Sequence, residues 1–589
     1  MNFYELLIIF STIFFVIILV ILIKRKNESL IDIKPKYNFT NFNIFYILFI
    51  ILILYTGYSL IIGIRDITWF VIFSAYIILS LLYASSKNIS IRNFATVSIL
   101  LLSIVISITP LIENRGIIFG PDQWRDLGIT SFIVEKGTFQ GSGSSGYYSI
   151  PLFNVINSVV TIATGWQPMT TFLVMGISYA IITTFSIYLL TLKLTSNRET
   201  AFIALAIMLS IPRLSTTQVI PAEASLALGL LLLVLLFDEI IQRKAFYLTP
   251  LILALTFVIH PTGVVPVACV MAGILILKML YHEDKFLVEN SAHIKKTLFS
   301  SVILAIGYLS ISSSARARII STTGSLISTL LSTRRFSSTY IPLTTGENTL
   351  LTSYVWALPV SICGAFFIMF LFYYRGKEEL RKEPAVAYGG AATFFALGLI
   401  FLAFISILLV PGASLERYLS VPAYALMLVP SAFVLNRLFS DKAKVVTTLA
   451  ILLIAVNVFI GTSSPSWAPF ENPGFGTFQS TYSGYLEAQR IVTTLPPAVH
   501  VYEDNDIPIA EVANVQHGLN VTKDISYQTI RQTISDLKIN VINYKQKGLQ
   551  DGVVYLKTDE IKNQQLYQRP VDIIYSSGAH TGLRLSGFG

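Results

Sequence analysis

Two carboxylates one helical turn apart, Asp122 and Asp126 in "GPDQWRDLGIT" at residues 120–130, interrupt a sequence that is otherwise apolar for most of its first hundred residues. If 121–136 is helical, the i, i+4 spacing sets both acids on one face, with Arg125 in reach of Asp122. A carboxylate at a partly dehydrated mouth holds its proton more tightly, so it can act as a general base, or it can ligate a metal. A plainer role is also open: Asp122 follows Pro121 directly, where an acid simply complements a helix dipole. Other chemistry-bearing residues are scattered later. They are Glu223 in "IPAEASLAL", His260 in "FVIHPTGVV", Arg316, Arg318, Arg334 and Arg335 in the segment 315–350, and Arg417 with Tyr418 in "LERYLSVPAY". Ionisable groups at the margin of apolar segments are functional candidates by default. Each also has a structural reading, as headgroup-reaching arginines, a hydrogen-bonding histidine, or a first-turn acid.

What must position these residues is a membrane. The chain has 589 residues, of which 54% are hydrophobic and only 13% charged, whereas a soluble domain carries about a quarter charged residues. Runs of roughly 20 apolar residues recur, each enough to span about 30 Å of hydrocarbon. These runs do not alternate apolar with polar, which excludes a transmembrane β-barrel. The hydropathy pattern predicts a polytopic α-helical protein with about fourteen spans. They lie near 4–23, 44–63, 68–86, 94–111, 170–192, 199–212, 220–241, 246–260, 263–280, 297–314, 351–374, 385–410, 419–437 and 445–461, with a break at Pro261. Basic residues then mark every second loop: Lys24 to Lys26, Lys87 and Arg92, Lys193 and Arg198, Arg243 and Lys244, Lys295 and Lys296, the cluster from 375 to 382, and Lys442 with Lys444. Positive charge stays cytosolic, so the N-terminus and the C-terminal region are both expected outside. The first apolar run precedes its basic cluster and lacks a cleavage site, so it reads as a retained helix and not a signal peptide.

Three regions follow. Residues 1–93 hold the first spans, and 94–461 form the core with an external loop at 112–169. Residues 462–589 return to ordinary polar composition, with strand-like runs at "AVHVYED", "DGVVYLK" and "VDIIYSS" that predict a small external α/β domain. That tail carries a sequon at Asn520. Cys269 and Cys363 lie inside apolar runs, with no disulfide or zinc spacing. The +9 net charge sorts by loop and points to topology, not to nucleic acid. No GxxxxGK[ST], HExxH or GxSxG occurs. The "GSGSSG" at 141–146 spells a dinucleotide fingerprint, but no strand precedes it, so it reads as a flexible loop.

The stretch "GPDQWRDLGITSFIVEKGTFQGSGSSGYYSIPLFNVINSVVTIATGWQP" resembles the first external loop of the GT-C superfamily of membrane glycosyltransferases, which contains protein O-mannosyltransferases and the lipid A aminoarabinose transferase. The shared features are the acid after a span, a helix to Glu135, Gly137, the aromatic pair Tyr147 and Tyr148 with Pro151, an apolar helix and Gly165. The resemblance implies that Asp122, with Asp126 second, is the catalytic base or a ligand of a divalent metal. "LERYLSVPAYALMLVPSAF" is similar to the family's late Arg-aromatic element, which implies that Arg417, beside Tyr418, holds the phosphate of a polyprenyl-phosphate donor. A guanidinium suits that task, because it forks phosphate oxygens and stays charged at a low-dielectric boundary. The pair DxxxD departs from the DxD of metal-using oligosaccharyltransferases, and their WWDYG motif is absent, which disfavours a protein N-glycan transferase.

The expected function is transfer of a sugar from a polyprenyl-phosphate donor to a lipid, glycan or protein acceptor on the outer face of a prokaryotic plasma membrane, archaeal or bacterial. His260, Glu223, Arg316, Arg318, Arg334 and Arg335 are further candidates for holding substrate or lipid phosphate there. The rivals are a transporter or flippase for lipid-linked or anionic solutes, and a polysaccharide polymerase or ligase, which also uses external Arg and His.

Overall fold

The computed structural model describes residues 89–113, 121–138, 152–209, 219–242, 248–280, 384–409, 415–438, 500–503, 552–557, 572–576 and 580–584, with isolated helical positions between 47 and 55, at 214 and between 295 and 320. The predicted spans at 4–23, 68–86, 351–374 and 445–461, most of those at 44–63 and 297–314, the tract 141–146 and Asn520 lie outside these residues.

Ten helices run through the described residues: α1 (Ile89–Glu113), α2 (Pro121–Lys136), α3 (Leu152–Thr164), α4 (Pro168–Thr195), α5 (Arg198–Leu209), α6 (Pro221–Gln242), α7 (Leu248–Ile259), α8 (Val264–Leu280), α9 (Pro384–Leu409) and α10 (Leu415–Leu438). Four of them, α2, α4, α6 and α9, begin on proline. At a first helical position its fixed φ is already correct and its missing N–H leaves nothing unsatisfied. α2 and α3 end on glycines at positive φ, Gly137 at 68° and Gly165 at 69°. Their amides return to the carbonyls of Ile133 and Thr161 at 2.8 and 2.9 Å, which closes each helix with a left-handed cap. Between α4 and α5, Asn197 Oδ1 accepts from the Glu199 amide at 2.8 Å and caps the next helix.

Three described helical segments are long and apolar enough to cross a membrane: Pro168–Thr195, Pro221–Asp238 and Pro384–Leu402. The chain is a helical membrane protein. α4 shows why. Ile177, Ile181 and Phe185 line one exposed apolar side, while Tyr179, Ile187, Leu190 and Leu194 face inward. Such a stripe would be a liability in water and is the required surface against lipid.

The chain divides into two compact units. The first comprises Met1–Glu113, Gly146–Phe153 and Met175–Phe470, and the second comprises Asn114–Ser145, Asn154–Val174 and Glu471–Gly589. In the first, α9 packs along α10 and α8, α10 packs on α5, and α6 packs on α7 and α8. Small residues permit this closeness, as expected where lipid supplies no hydrophobic drive between helices. A Cβ on Gly273 would stand 2.6 Å from the Ala391 Cβ, joining α8 to α9. Phe202, Phe237 and Tyr388 fill the interior, with the Phe237 and Tyr388 rings edge to face at 5.6 Å.

Polar contacts sort the helix ends of this unit. Arg198 Nη1 donates to Asn93 Oδ1 at 2.7 Å, Lys193 pairs with Asp238, and Asn436 Nδ2 donates to Thr200 Oγ1 at 2.8 Å. These gather the starts of α1 and α5 with the ends of α4, α6 and α10. The starts of α6 and α10 therefore belong to the opposite end, together with the turn between α7 and α8, which packs against both helices.

The second unit contains α2, most of α3, the start of α4 and a sheet of four described strands: β1 (His500–Glu503), β2 (Gly552–Lys557), β3 (Asp572–Ser576) and β4 (His580–Arg584). The order is β1-β2-β4-β3. β1 runs parallel to β2 with His500 opposite Gly552, β4 is antiparallel to β2 and β3, and the β3–β4 register shifts between Ile573 and Tyr575.

Candidate functional site

The helix supposed over 121–136 is present. α2 starts at Pro121, so Asp122 stands in its first turn and Asp126 one turn on. The Asp126 side chain is 0% exposed, among the buried Gln123, Leu127 and Thr130. The backbone of Asp122 is described, whereas its side chain and that of Arg125 lie outside the described set.

α3 is inverted relative to a helix in water. Asn154, Asn157, Ser158 and Thr161, spaced i, i+3, i+4 and i+7, are all buried, while Val159 and Ile162 are 58% and 62% exposed. The buried stripe binds α2 through its backbone. Asn154 Nδ2 donates to the Asp126 carbonyl at 2.7 Å, with Thr130 Oγ1 at 3.4 Å. One turn along, Ser158 Oγ reaches the Thr130 carbonyl at 3.1 Å and the Asn154 carbonyl at 2.7 Å. Thr161 Oγ1 then meets Thr171 Oγ1 of α4 at 2.9 Å. Asn154 thus holds the Asp126 carbonyl of α2, and one turn on Ser158 lies beside the Thr130 carbonyl, its single proton shared with its own helix. No hydropathy window signals this, but the spacing of Asn, Asn, Ser and Thr on an apolar helix does.

His260 lies in the first unit, at the break between α7 and α8, and is 4% exposed. Residues 261–263 form a single 3₁₀ turn. Thr262 donates its amide to His260 Nδ1 at 3.2 Å, and its hydroxyl lies 2.7 Å from the same nitrogen. An amide only donates, so Nδ1 carries a lone pair and the ring's proton sits on Nε2. Ser225 of α6 completes the turn. Its hydroxyl donates to the His260 carbonyl and accepts from the Gly263 amide at 3.0 Å. A helix break inside a bundle must satisfy its own backbone groups, and here Ser225 and His260 do so.

Glu223 is half-buried in the first turn of α6, two residues before Ser225. Arg417 and Tyr418 occupy the first turn of α10, with only their backbone described. Glu223, His260 and the α10 positions of Arg417 and Tyr418 therefore share one end of the first unit. Arg316, Arg318, Arg334 and Arg335 lie outside the described residues. Among the described residues no three His, Cys, Asp or Glu side chains converge as a metal site.

No family model and no curated protein matches the chain. Among solved structures it is similar to ArnT from Cupriavidus metallidurans bound to undecaprenyl phosphate, at 11% identity and TM-score 0.49, over 84% of this chain and 98% of that one. It is also similar to the oligosaccharyltransferase of Archaeoglobus fulgidus. The apo form aligns at 12% identity and TM-score 0.45 over 83% and 74% of the two chains, and the complex with zinc and sulfate at 12% and 0.43 over 82% and 73%. Both enzymes are GT-C glycosyltransferases. At such identities and TM-scores the likeness supplies no residue correspondence.

Proposed function

We propose that this chain is a membrane glycosyltransferase that moves a sugar from a polyprenyl-phosphate donor to an acceptor hydroxyl on the extracytoplasmic face. Asp122 takes the proton of the acceptor, whose oxygen forms the new bond to the anomeric carbon as the bond to the phosphate oxygen breaks, with inversion. Arg417 forks the departing phosphate and stabilises its growing charge, helped by His260 and by one or more of Arg316, Arg318, Arg334 and Arg335. About fourteen spans, an N-terminus outside and an external α/β domain at 462–589 complete the proposed architecture. The observation that carries this reading is the gathering of Glu223, His260 and the first turn of α10 at the bundle end opposite the Lys193–Asp238 pair. That end is the extracytoplasmic one if positive charge stays inside.

A carrier reading fits the helix break less well. Carriers point free amides of a discontinuous helix at an anionic substrate. Here the Thr262 and Gly263 amides are already engaged by His260 Nδ1 and Ser225 Oγ.

The test is purified protein in nanodiscs with radiolabelled polyprenyl-phosphate sugars. Wild type is expected to transfer label, and Arg417→Lys to lose about 10- to 100-fold in kcat/KM, the worth of one charge-assisted hydrogen bond. Unchanged kcat/KM in that variant removes the phosphate role of Arg417. Absence of transfer from every donor, with uptake of the intact lipid-linked sugar into vesicles, establishes the carrier instead.

A further inference from the structure

We propose that Asn154 is a positioning residue that sets the rotation of α2 and thereby aims Asp122. The inference deepens the glycosyltransferase reading and, in its activity arm, rests on it.

Among the described side chains of α2, Leu127, Ile129 and Ile133 form the buried apolar face, and apolar contact is non-directional. Directional contacts fix the rotation of a helix about its axis better. The carbonyl of Asp126 has a second lone pair beyond its helical bond, and Asn154 Nδ2 occupies it at 2.7 Å with both groups buried. One turn on, the Ser158 hydroxyl adds a weaker contact to the Thr130 carbonyl at 3.1 Å, because the same proton serves the Asn154 carbonyl at 2.7 Å. In a low-dielectric interior such bonds are short, strong and orientation-dependent. The amide orientation of Asn154 follows from its partners. Its Nδ2 faces a carbonyl, which cannot donate, so the nitrogen must stand there. Asp122 precedes Asp126 by four residues on the same helix, so a turn of α2 about its axis displaces both acids together. Asn154 does not touch the reacting atoms in this scheme. It acts through the direction of Asp122.

Asn154→Leu is the decisive variant. Leucine keeps the branched four-atom outline though it is larger, removes the donor and suits a buried site, and the Asp126 carbonyl keeps its helical bond, so the unfolding temperature is expected to change little. The kcat is expected to fall about 100-fold, the cost of misplacing a catalytic group by about 1 Å, with KM for the donor unchanged. Asn154→Gln, which keeps the donor, is expected to recover part of kcat. In an Asp122→Asn background, Asn154→Leu is expected to cost nothing more, because the group it aims is gone. A wild-type kcat in Asn154→Leu, or an equal further loss in the Asp122→Asn background, overturns the proposal. A second readout needs no turnover: the alkylation rate of a cysteine placed by Asp122→Cys is expected to change when Asn154→Leu is added. An unchanged rate overturns the clamp, whatever the reaction. If wild type transfers no sugar, the glycosyltransferase reading falls and the alkylation arm alone judges the clamp.

Discussion

Asp122→Asn is expected to lower turnover by about 10²–10⁴-fold, the contribution of a positioned general base, while the protein inserts and unfolds like wild type. Asparagine keeps the size of aspartate and cannot accept the proton of an attacking hydroxyl at neutral pH. The proposal gives this role to the first acid, with the second behind it. Asp122 stands in the opening turn of α2, whereas Asp126 is fully buried one turn in, with its carbonyl held by Asn154. Asp126→Asn is therefore expected to keep more activity than Asp122→Asn. The comparison needs initial rates and melting curves of both variants in one lipid preparation. Equal activity in Asp122→Asn and wild type removes the base role.

Gly263→Ala is expected to be the most damaging single methyl in the described core. A Cβ there would lie 1.9 Å from the Ser225 carbonyl oxygen, 2.3 Å from its carbon and 2.4 Å from its Oγ. The same methyl displaces the hydroxyl that joins α6 to the break at His260. Gly229 meets the other side of this contact, with a Cβ 2.0 Å from the Gly263 oxygen. Backbone cannot retreat as a side chain end can, so the cost is expected at about 3 kcal/mol, the upper part of the overpacking range. Gly398→Ala in α9 is the control: nothing lies within 4 Å of its Cβ, and alanine favours helix by about 1 kcal/mol. Melting temperatures of the two variants should move in opposite directions. A Gly263→Ala protein as stable as wild type would mean that the contact is looser than described.

Much of the helical frame is legible in the sequence. α2 occupies the predicted 121–136, and α6, α8 and α9 fall within a residue or so of the apolar runs at 220–241, 263–280 and 385–410. Pro261 marks a real break. These features are legible because they depend on local quantities: proline at a first turn, glycine at a cap, and runs of apolar residues. Three of the four described strands coincide with the β-rich runs. The fourth, β4, was not legible. "HTGLR" has little apolar alternation and gains its place by pairing with β2 and β3 on both sides, a context that no local window contains.

The site divides along the same line. Asp122 and Arg417 stand out because charge is rare in this chain. Asn154, Asn157 and Ser158 do not, because averaged hydropathy dilutes three polar residues in an apolar helix, and only their helical phase shows that they face the same neighbour. Likewise, the sequence leaves His260 open between ligand and structural roles. Its Nδ1 bonds to Thr262 now assign one ring nitrogen to the turn. Partnerships of this kind arise between elements, so they become visible only when the helices are placed.

In the proposed function the loop at 112–169 and the start of α10 both face outward. In a chain whose Cys269 and Cys363 are replaced by alanine, Asp122→Cys and, separately, Arg417→Cys should be treated in sealed right-side-out vesicles with a membrane-impermeant maleimide. The predicted result is alkylation of each cysteine from outside, at a rate that permeabilisation does not raise. If either cysteine reacts only after permeabilisation, the outward placement is contradicted.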